Sequence, residues 1–553
     1  MSPTTPAANN AFAPFHHRTY LLLWSATLFS SMGTWMQDLG AGWLMTKLET
    51  SPAIVALVQA STSLPIFLFA LFAGAIADTV DRRKLLLSVN ILLSLIATVF
   101  AVLVYSEQMT THLLLALTFL MGTGAAFSAP AFQSIVPSLV PREELPAAIA
   151  LNAIAMNISR ALGPALAGVL ISAVSLAAPF AFNAVSYWGT VLVLARWQPA
   201  KSNVTHALPA EPVFSAMLTG LRYVFYSRPL KNTLWRALAF FIFASAYWSM
   251  TPVIARQLLK GDPHVYGLLM ASVGVGAVAA AMVLPRLRRT LGRDWLVALG
   301  TIGTAGALLI FAFFHQAPAA YAASMLAGAS WISVLSSLNT SAQTALPDWV
   351  RGRGLAIFLT VAFGSMAIGS VIWGRLAHDF DIPTALISAA MGALSFIPLT
   401  WHIKLGKNEN LDLTPSLHWP NPVIRLEDSM DRGPVLISIE YNIDPNQAPA
   451  FIDAIERLAC QRRRDGAIEW GVFQDSEQPE LWIESFTASS WVEHLRQHRR
   501  ITKQDEQLQA LVNSFHRGTQ PPNVRHLLAP SAQLYRQAEL VDPLNSANTK
   551  ETV

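Results

Sequence analysis

Two ionisable residues stand out because they lie where charge is costly. Asp38 falls past the middle of the first long apolar run and Arg160 near the centre of the fifth. In hydrocarbon such groups cost a few kcal/mol each unless they face a cavity or a partner. An aspartate in low dielectric could bind and release a proton, while Arg160 could hold an anionic substrate or compete for Asp38. A static salt bridge between the two explains the same residues. Asn157 lies three residues before Arg160 on the same helical face, and Gln59, Gln133, Asn152, Asn183, Asn339 and Gln343 add neutral hydrogen-bonding groups, for a substrate or as interhelical glue. Arg236, near the start of the seventh run, and Arg375, near the end of the eleventh, are placed to extend their charged heads to an interface.

The elements that must position these residues follow from composition. The chain has 553 residues, 53% of them hydrophobic and 13% charged, whereas soluble domains carry about a quarter charged residues. Apolar stretches long enough to cross about 30 Å of hydrocarbon begin near Tyr20, Ala53, Leu85, Leu113, Pro146, Leu176, Leu234, Tyr266, Leu296, Ala319, Ala356 and Thr384, about twelve spans in all. They are continuously apolar, unlike the alternating segments of a membrane barrel, so the spans are helices. A formal net charge of +4 gives no support to nucleic-acid binding. One cysteine, Cys460, excludes an intrachain disulfide and any Cys-based zinc site. Met1 to Arg18 lack a secretory signal, so the first run is expected to be retained.

Basic residues mark alternate loops: Arg82, Arg83 and Lys84; Arg142; Arg196 and Lys201; Arg286, Arg288, Arg289 and Arg293; Arg351 and Arg353. The positive-inside rule places these loops, and with them both termini, in the cytoplasm of a multi-pass protein of the cell (inner) membrane. A shift of about 206 residues superposes the halves, as in repeat-built transporters. Pro141 then falls on Pro347, Gly163 on Gly369, Gly168 on Gly374, and Arg82 and Arg83 on Arg288 and Arg289, whereas Asp38 and Arg160 fall on Ala244 and Met366. The expected organisation is a tail at 1–19, a six-helix half at 20–197, a Pro-rich linker at 198–231, a second six-helix half at 232–404, a linker at 405–432, a small α+β domain at 433–530 and a flexible tail at 531–553.

The loop Gly74-Ala-Ile-Ala-Asp78-Thr-Val-Asp81-Arg82-Arg83-Lys84 resembles the signature loop of the major facilitator superfamily. In this resemblance it is the conformational gating motif, with Thr79 where a basic residue is usual and Asp81 where glycine is usual. Gly163-Pro164-Ala-Leu-Ala-Gly168 resembles the glycine-proline helix-packing motif of proton-coupled exporters, with Ser159 and Ala167 at positions where glycine is usual. Its repeat mate, Gly369 to Gly374, keeps the glycines and loses the proline. Together with Trp35-Met-Gln37-Asp38, Gly42-Trp43-Leu44, Ser63-Leu-Pro65 and Val140-Pro141-Arg-Glu-Glu144, the first four hundred or so residues are similar to the branch that holds the enterobactin exporter and the transmembrane secretion effectors. The resemblance implies twelve helices, alternating access, and export of siderophores or amphipathic compounds, with protons as coupling ion and no cofactor. The fourth span lacks the arginine that many proton-coupled relatives carry.

After about Lys404 charges crowd and spanning runs stop, marking a cytoplasmic module. Strands are expected at Val435 to Ile443, Ile468 to Phe473, Glu480 to Phe486 and Val524 to Leu528, with helices from Asp444-Pro445 to about Arg464, from Ser489 through His498, and after Thr502. That order is the split βαβ pattern. With Trp482-Ile-Glu484-Ser-Phe486 and Ser490-Trp491-Val-Glu493-His494 it resembles the ferredoxin-like domains of the antibiotic-biosynthesis monooxygenase family, which implies homodimer formation. Arg462 to Arg464 read as a solvated helix end, and Trp470, Trp482 and Trp491 as core. His494 and His498, four apart, read as solvated surface rather than as metal ligands. No catalytic motif appears, so the chain is expected to be a transporter rather than an enzyme, its tail sensing or dimerising; the alternative is a monooxygenase-like enzyme or ligand sensor that acts on the cargo.

Overall fold

Apolar runs with no water to bond must satisfy every backbone N–H and C=O internally, and in the computed structural model of the chain they do so as helices. The structure describes residues 12–136, 139–197, 211–405, 412–416, 419 and 432–530. The first set of helices is α1 (Arg18–Leu48), α2 (Pro52–Thr79), α3 (Arg82–Tyr105), α4 (Thr111–Ile135), α5 (Leu145–Ala173) and α6 (Ala178–Arg196). After α7 (Val213–Tyr226) come α8 (Arg228–Val253), α9 (Pro263–Phe313), α10 (Ala317–Thr344), α11 (Arg351–Asp379) and α12 (Ile382–Thr400). Starts are sharpened by caps: Asp81, Thr110, Asp262 and Asp381 each accept a backbone N–H of the first turn. Among the described residues ten helices are long and apolar enough to cross a membrane. One of these, α9, runs for 51 residues but bends at Gly292, whose φ of 74° and ψ of 170° no helix interior tolerates and only glycine adopts readily.

The paired glycines of the repeat do paired work. A Cβ on Gly163 would stand 2.8 Å from that of Trp35, and one on Gly369 would stand 2.3 Å from the carbonyl of Ile242, so α1 meets α5 as α8 meets α11. Gly168 faces Pro263, His264 and Gly267 of α9, while Gly374 faces Pro52, Ala53 and Ala56 of α2. The second pairing joins one half to the other. At this end, away from the basic loops, one buried apolar cluster spans both halves, from Met36, Trp43 and Val55 to Met250, Tyr266 and Trp373. At the basic end the cores are separate: Leu23, Leu86 and Leu194 in one half, Leu230, Val334 and Phe358 in the other. Leu71 of α2 reaches across to the latter cluster.

The expected linker is not all loop. Residues 213–226 form α7, because Phe214, Leu218, Leu221 and Phe225 recur at helical spacing on an exposed stripe while Ala216, Thr219 and Tyr223 are buried opposite. The flanking prolines concealed that periodicity.

The tail folds as β1 (Val435–Asn442), α13 (Ala448–Asp465), β2 (Ile468–Gln474), β3 (Leu481–Ala488), α14 (Trp491–Arg500), α15 (Lys503–Ser514) and β4 (Asn523–Leu528). Its antiparallel sheet has the order β2–β3–β1–β4. Val435, Ile437, Ile439 and Tyr441 alternate inward onto Phe451, Ile455, Leu458 and Trp491. Thr502 and Asp505 form a capping box at α15. Cys460 is exposed on α13.

Candidate functional site

Between the halves lies a cavity of about 480 Å³. The first half lines it with Trp35, Asp38, Gln59 and Thr62 of α1 and α2 and with Arg160 and Pro164 of α5. The second half contributes Phe241, Trp248 and Ser249 of α8, Tyr266 and Met270 of α9, Trp331 and Asn339 of α10, and Phe358, Phe363 and Met366 of α11. Four of the residues singled out in the sequence, Asp38, Gln59, Arg160 and Asn339, therefore share one wall system. Asn157 and Gln133 do not line it: the Asn157 amide bonds its own helix at Ala153 O, 2.9 Å away, and Gln133 is exposed elsewhere.

Asp38 and Arg160 form no ion pair with each other among the described residues; Asp38 opens onto the cavity and the Arg160 guanidinium lies 5.6 Å from the ring centre of Trp35. One turn of α1 thus presents an aromatic face to the cation and then a carboxylate. Aromatic rings continue across the cavity, with Trp248 and Trp331 edge-to-face at 5.2 Å and Phe241 against Trp331 at 5.3 Å. Gln59 bonds Ser63 at 3.0 Å and Asn339 accepts from Gln343 at 3.3 Å, so these amides are held by their own helices. Asn183 instead joins α6 to α1, donating to Gln37 at 2.7 Å. The closed end is sealed by Gly42 against Pro252 and Tyr266, by Trp43 stacked on Tyr266, and by Arg256 and Gln257 reaching Thr46 and the Thr50 carbonyl.

Two arginines correct or qualify the reading of their surroundings. Arg236 does not reach for an interface: its side chain is 3% exposed and pairs with Asp294 at 2.9 Å, with Thr400 at 3.2 Å. A partner 58 positions away at the start of the second arm of α9 was invisible to local sequence. Arg375 pairs with Asp379 at 2.8 Å on an exposed helix face.

In the signature loop, Gly74 approaches Ala356 of α11 at ordinary contact distance. Arg83 donates to the carbonyls of Leu194 and Ala195, the last turn of α6, where the helix dipole welcomes a cation. The departure at Asp81 has a local use, since its carboxylate caps α3 at the Lys84 N–H, 3.0 Å away. The Asp78 and Arg142 side chains lie outside the described residues, as do Lys201 and the 531–553 tail. In the packing motif, Ser159 replaces a glycine and donates its hydroxyl to Leu28 O at 3.1 Å, bonding α5 to α1.

The tail docks on the transport core, and Arg464, read as solvated, takes part. Arg464 bridges Asp465 and Asp505 and lies 5.5 Å from the Tyr223 ring of α7; Arg500 lies 4.8 Å from the Trp349 ring. Glu211 accepts from Arg353 of α11 at 2.8 Å and faces Arg500 of α14 at 3.7 Å. Burial alone would raise its carboxyl, but Arg353 and Arg500 hold it below the usual carboxylate range. Burial pushes Asp465 up to about 6 against the pull of Arg464. Arg462 is also buried, pairing with Glu484 at 3.1 Å, while Glu484 further accepts from Tyr441 and Trp470 at 3.0 Å each. The helix end is therefore an interior network because three acidic partners come from β3, α15 and α13 itself.

His494 is likewise not surface: it is 1% exposed, its Nε2 is 3.2 Å from that of His498, and His526 of β4 completes a cluster. Burial, followed by the neighbouring His498 and His526, lowers its pKa to about 3.

Many apolar helices in two related sets around one shared cavity define a multi-pass membrane transporter of the major facilitator superfamily. The fold is shared with a nucleoside transporter at 11% identity and a TM-score of 0.58, covering 69% of this chain and 98% of that one. It is shared too with a bacterial homologue of the lysosomal transporter Spinster in an inward-facing, occupied conformation, at 12% identity and 0.56, covering 71% and 98%. Among curated proteins, the staphyloferrin A transporter of Staphylococcus aureus is 23% identical over 65% of this chain and 89% of its own length. The multidrug efflux pump Tap of Mycolicibacterium fortuitum is 22% identical over 68% and 93%, and the enterobactin exporter EntS of Salmonella choleraesuis 25% over 63% and 83%. The sequence profile of the transmembrane secretion effectors matches residues 9–534, and the chain belongs to that family. The family and these relatives are transporters, not enzymes.

Proposed function

We propose that the chain is a proton-linked exporter of small amphipathic molecules, siderophore-like or drug-like, working by alternating access in the cell membrane. The observation that carries this reading is the cavity itself, which sets one carboxylate and one guanidinium among tryptophans contributed by both halves. Such a wall accepts a ligand with an apolar body and a polar or anionic group, and Asp38 is the group that exchanges the proton. The length of α9 supports a count of twelve crossings: as a straight helix its 51 residues would span about 75 Å, more than twice the hydrocarbon thickness, so in this reading its two arms count separately and α1 makes the twelfth. The basic loops support a reading in which the basic end and both termini face the cytoplasm. One shared apolar core at the other end and separate cores at the basic end then correspond to an inward-facing state.

In this reading Gly74, Asp78, Arg82, Arg83 and Lys84 gate, and Gly163, Pro164, Gly168, Gly369 and Gly374 let helices slide closely. The tail is a cytoplasmic ferredoxin-like module, a reading supported by its strand order, and a regulator rather than a catalyst. Leu436, Ile468, Phe473 and Leu527, all exposed on the uncovered sheet face, favour pairing of two tails. Everted vesicles with an imposed pH gradient, screened against siderophores, drugs and lysolipids, test the function. Asp38→Asn should abolish drive by the gradient while leaving substrate binding; gradient-driven transport at the parental rate would refute the role of Asp38.

A further inference from the structure

Three of the tail's imidazoles, on two elements, are brought together by the fold. His494 and His498 lie one turn apart on α14. His526 lies opposite Ile437 in the β1–β4 register, which puts it on the covered face of the sheet, toward the helices. One ring nitrogen from each residue lies within 4.8 Å of the others, and the two Nε2 atoms of α14 are 3.2 Å apart. Four nitrogens placed about 2.0–2.1 Å from a tetrahedral zinc ion are about 3.3 Å from one another. The α14 pair already has that spacing, and His526 reaches it by a side-chain adjustment of about 1.5 Å.

The surroundings orient the donors. His494 Nδ1 meets Gln497 Oε1 at 3.3 Å, and an Nδ1–H donated there leaves the Nε2 lone pair directed at the cluster. That is the outer-shell contact that fixes a ligating tautomer. Trp491 lies 5.7 Å from His526 and Trp419 lies 4.7 Å from His498, walls that hold solvent back. Arg462, whose charge acts on His494, is met by Glu484. Among the described residues the cluster contains no carboxylate, so its donor set suits borderline transition ions rather than magnesium or calcium.

We propose that His494, His498 and His526 form a binding site for a divalent transition cation of the zinc, cobalt and nickel class, with a remaining coordination position for water or an exogenous ligand. The site sits two residues from Arg500, the residue of α14 that faces Glu211.

The test uses the untagged full-length chain in detergent, stripped with chelator and titrated with Co²⁺ and then Zn²⁺. One equivalent of Co²⁺ should produce the visible bands of a low-coordinate nitrogen site, and one equivalent of Zn²⁺ should displace it. His498→Gln and His526→Gln, both half-buried positions, should weaken binding by more than the 10- to 100-fold that loss of an outer-shell partner costs, and Gln497→Ala by about that amount. Circular dichroism and thermal unfolding establish that each variant is folded. Absence of stoichiometric Co²⁺ uptake by the parent, or parental affinity in the folded glutamine variants, overturns the site.

Discussion

Glu211→Gln offers the sharpest quantitative test of how the tail is held. Glu211 is 9% exposed and pairs with Arg353, which is 19% exposed; Arg500, 5% exposed, is the more distant cation. Removing one partner of a buried pair costs about 3–5 kcal/mol. Here Arg500 keeps Glu493 and the Asp465 carbonyl, and Arg353 retains some access to water, so the loss falls to about 2–3 kcal/mol. At 1.4 kcal/mol per factor of ten, the equilibrium between docked and released tail shifts about 30- to 150-fold. Amide hydrogen exchange on the full chain should show α7 and α14 losing protection by that factor, with α3 unchanged. Because the folded carboxyl sits below its ordinary value of 4.5, this contribution is present above that pH and is lost as pH falls through the folded value. Protection in α7 and α14 that stays within twofold of the parent, or that weakens as pH rises, would refute the reasoning.

Arg236→Leu leaves the mostly buried Asp294 charged and without its guanidinium; a loss of about 3 kcal/mol is expected in thermal unfolding in detergent, largely recovered in Arg236→Met with Asp294→Leu. Gly276→Val should prevent accumulation of folded protein, since even a Cβ there would collide with the Met325 carbonyl, whereas Gly189→Ala, inside α6 with nothing within 4 Å, should leave the protein folded and stabilise it by about 0.5–1 kcal/mol; size-exclusion profiles of the two compare directly.

Helices were legible in the sequence because lipid leaves an apolar run no alternative, and the tail strands because alternation and caps marked them. Asp38 and Arg160 were legible as cavity residues because charge in an apolar run needs a reason. Trp248, Trp331 and Tyr266 were not, since an aromatic residue looks the same whether it faces lipid, a neighbour or a cavity. Glu211 lay hidden in a Pro-rich stretch, and its meaning depends on Arg353 and Arg500, residues far along the chain. His526 needed a strand register: the pair on α14 could be read from spacing alone, but the third ring joins it only once β4 lies beside β1.

Cys460 gives the docking of the tail a practical consequence. It is the chain's one thiol, exposed on α13. Arg464, also on α13, rests on Tyr223 of α7, and the Tyr223 hydroxyl bonds the Ala345 carbonyl of the second half. A fluorophore on that thiol is therefore a pointer carried by one half of the molecule. If the halves move against each other as alternating access proposes, its energy transfer to an acceptor on the first half would vary with every cycle and to one on the second half would stay constant, so the native sequence already holds a single-site reporter of that motion.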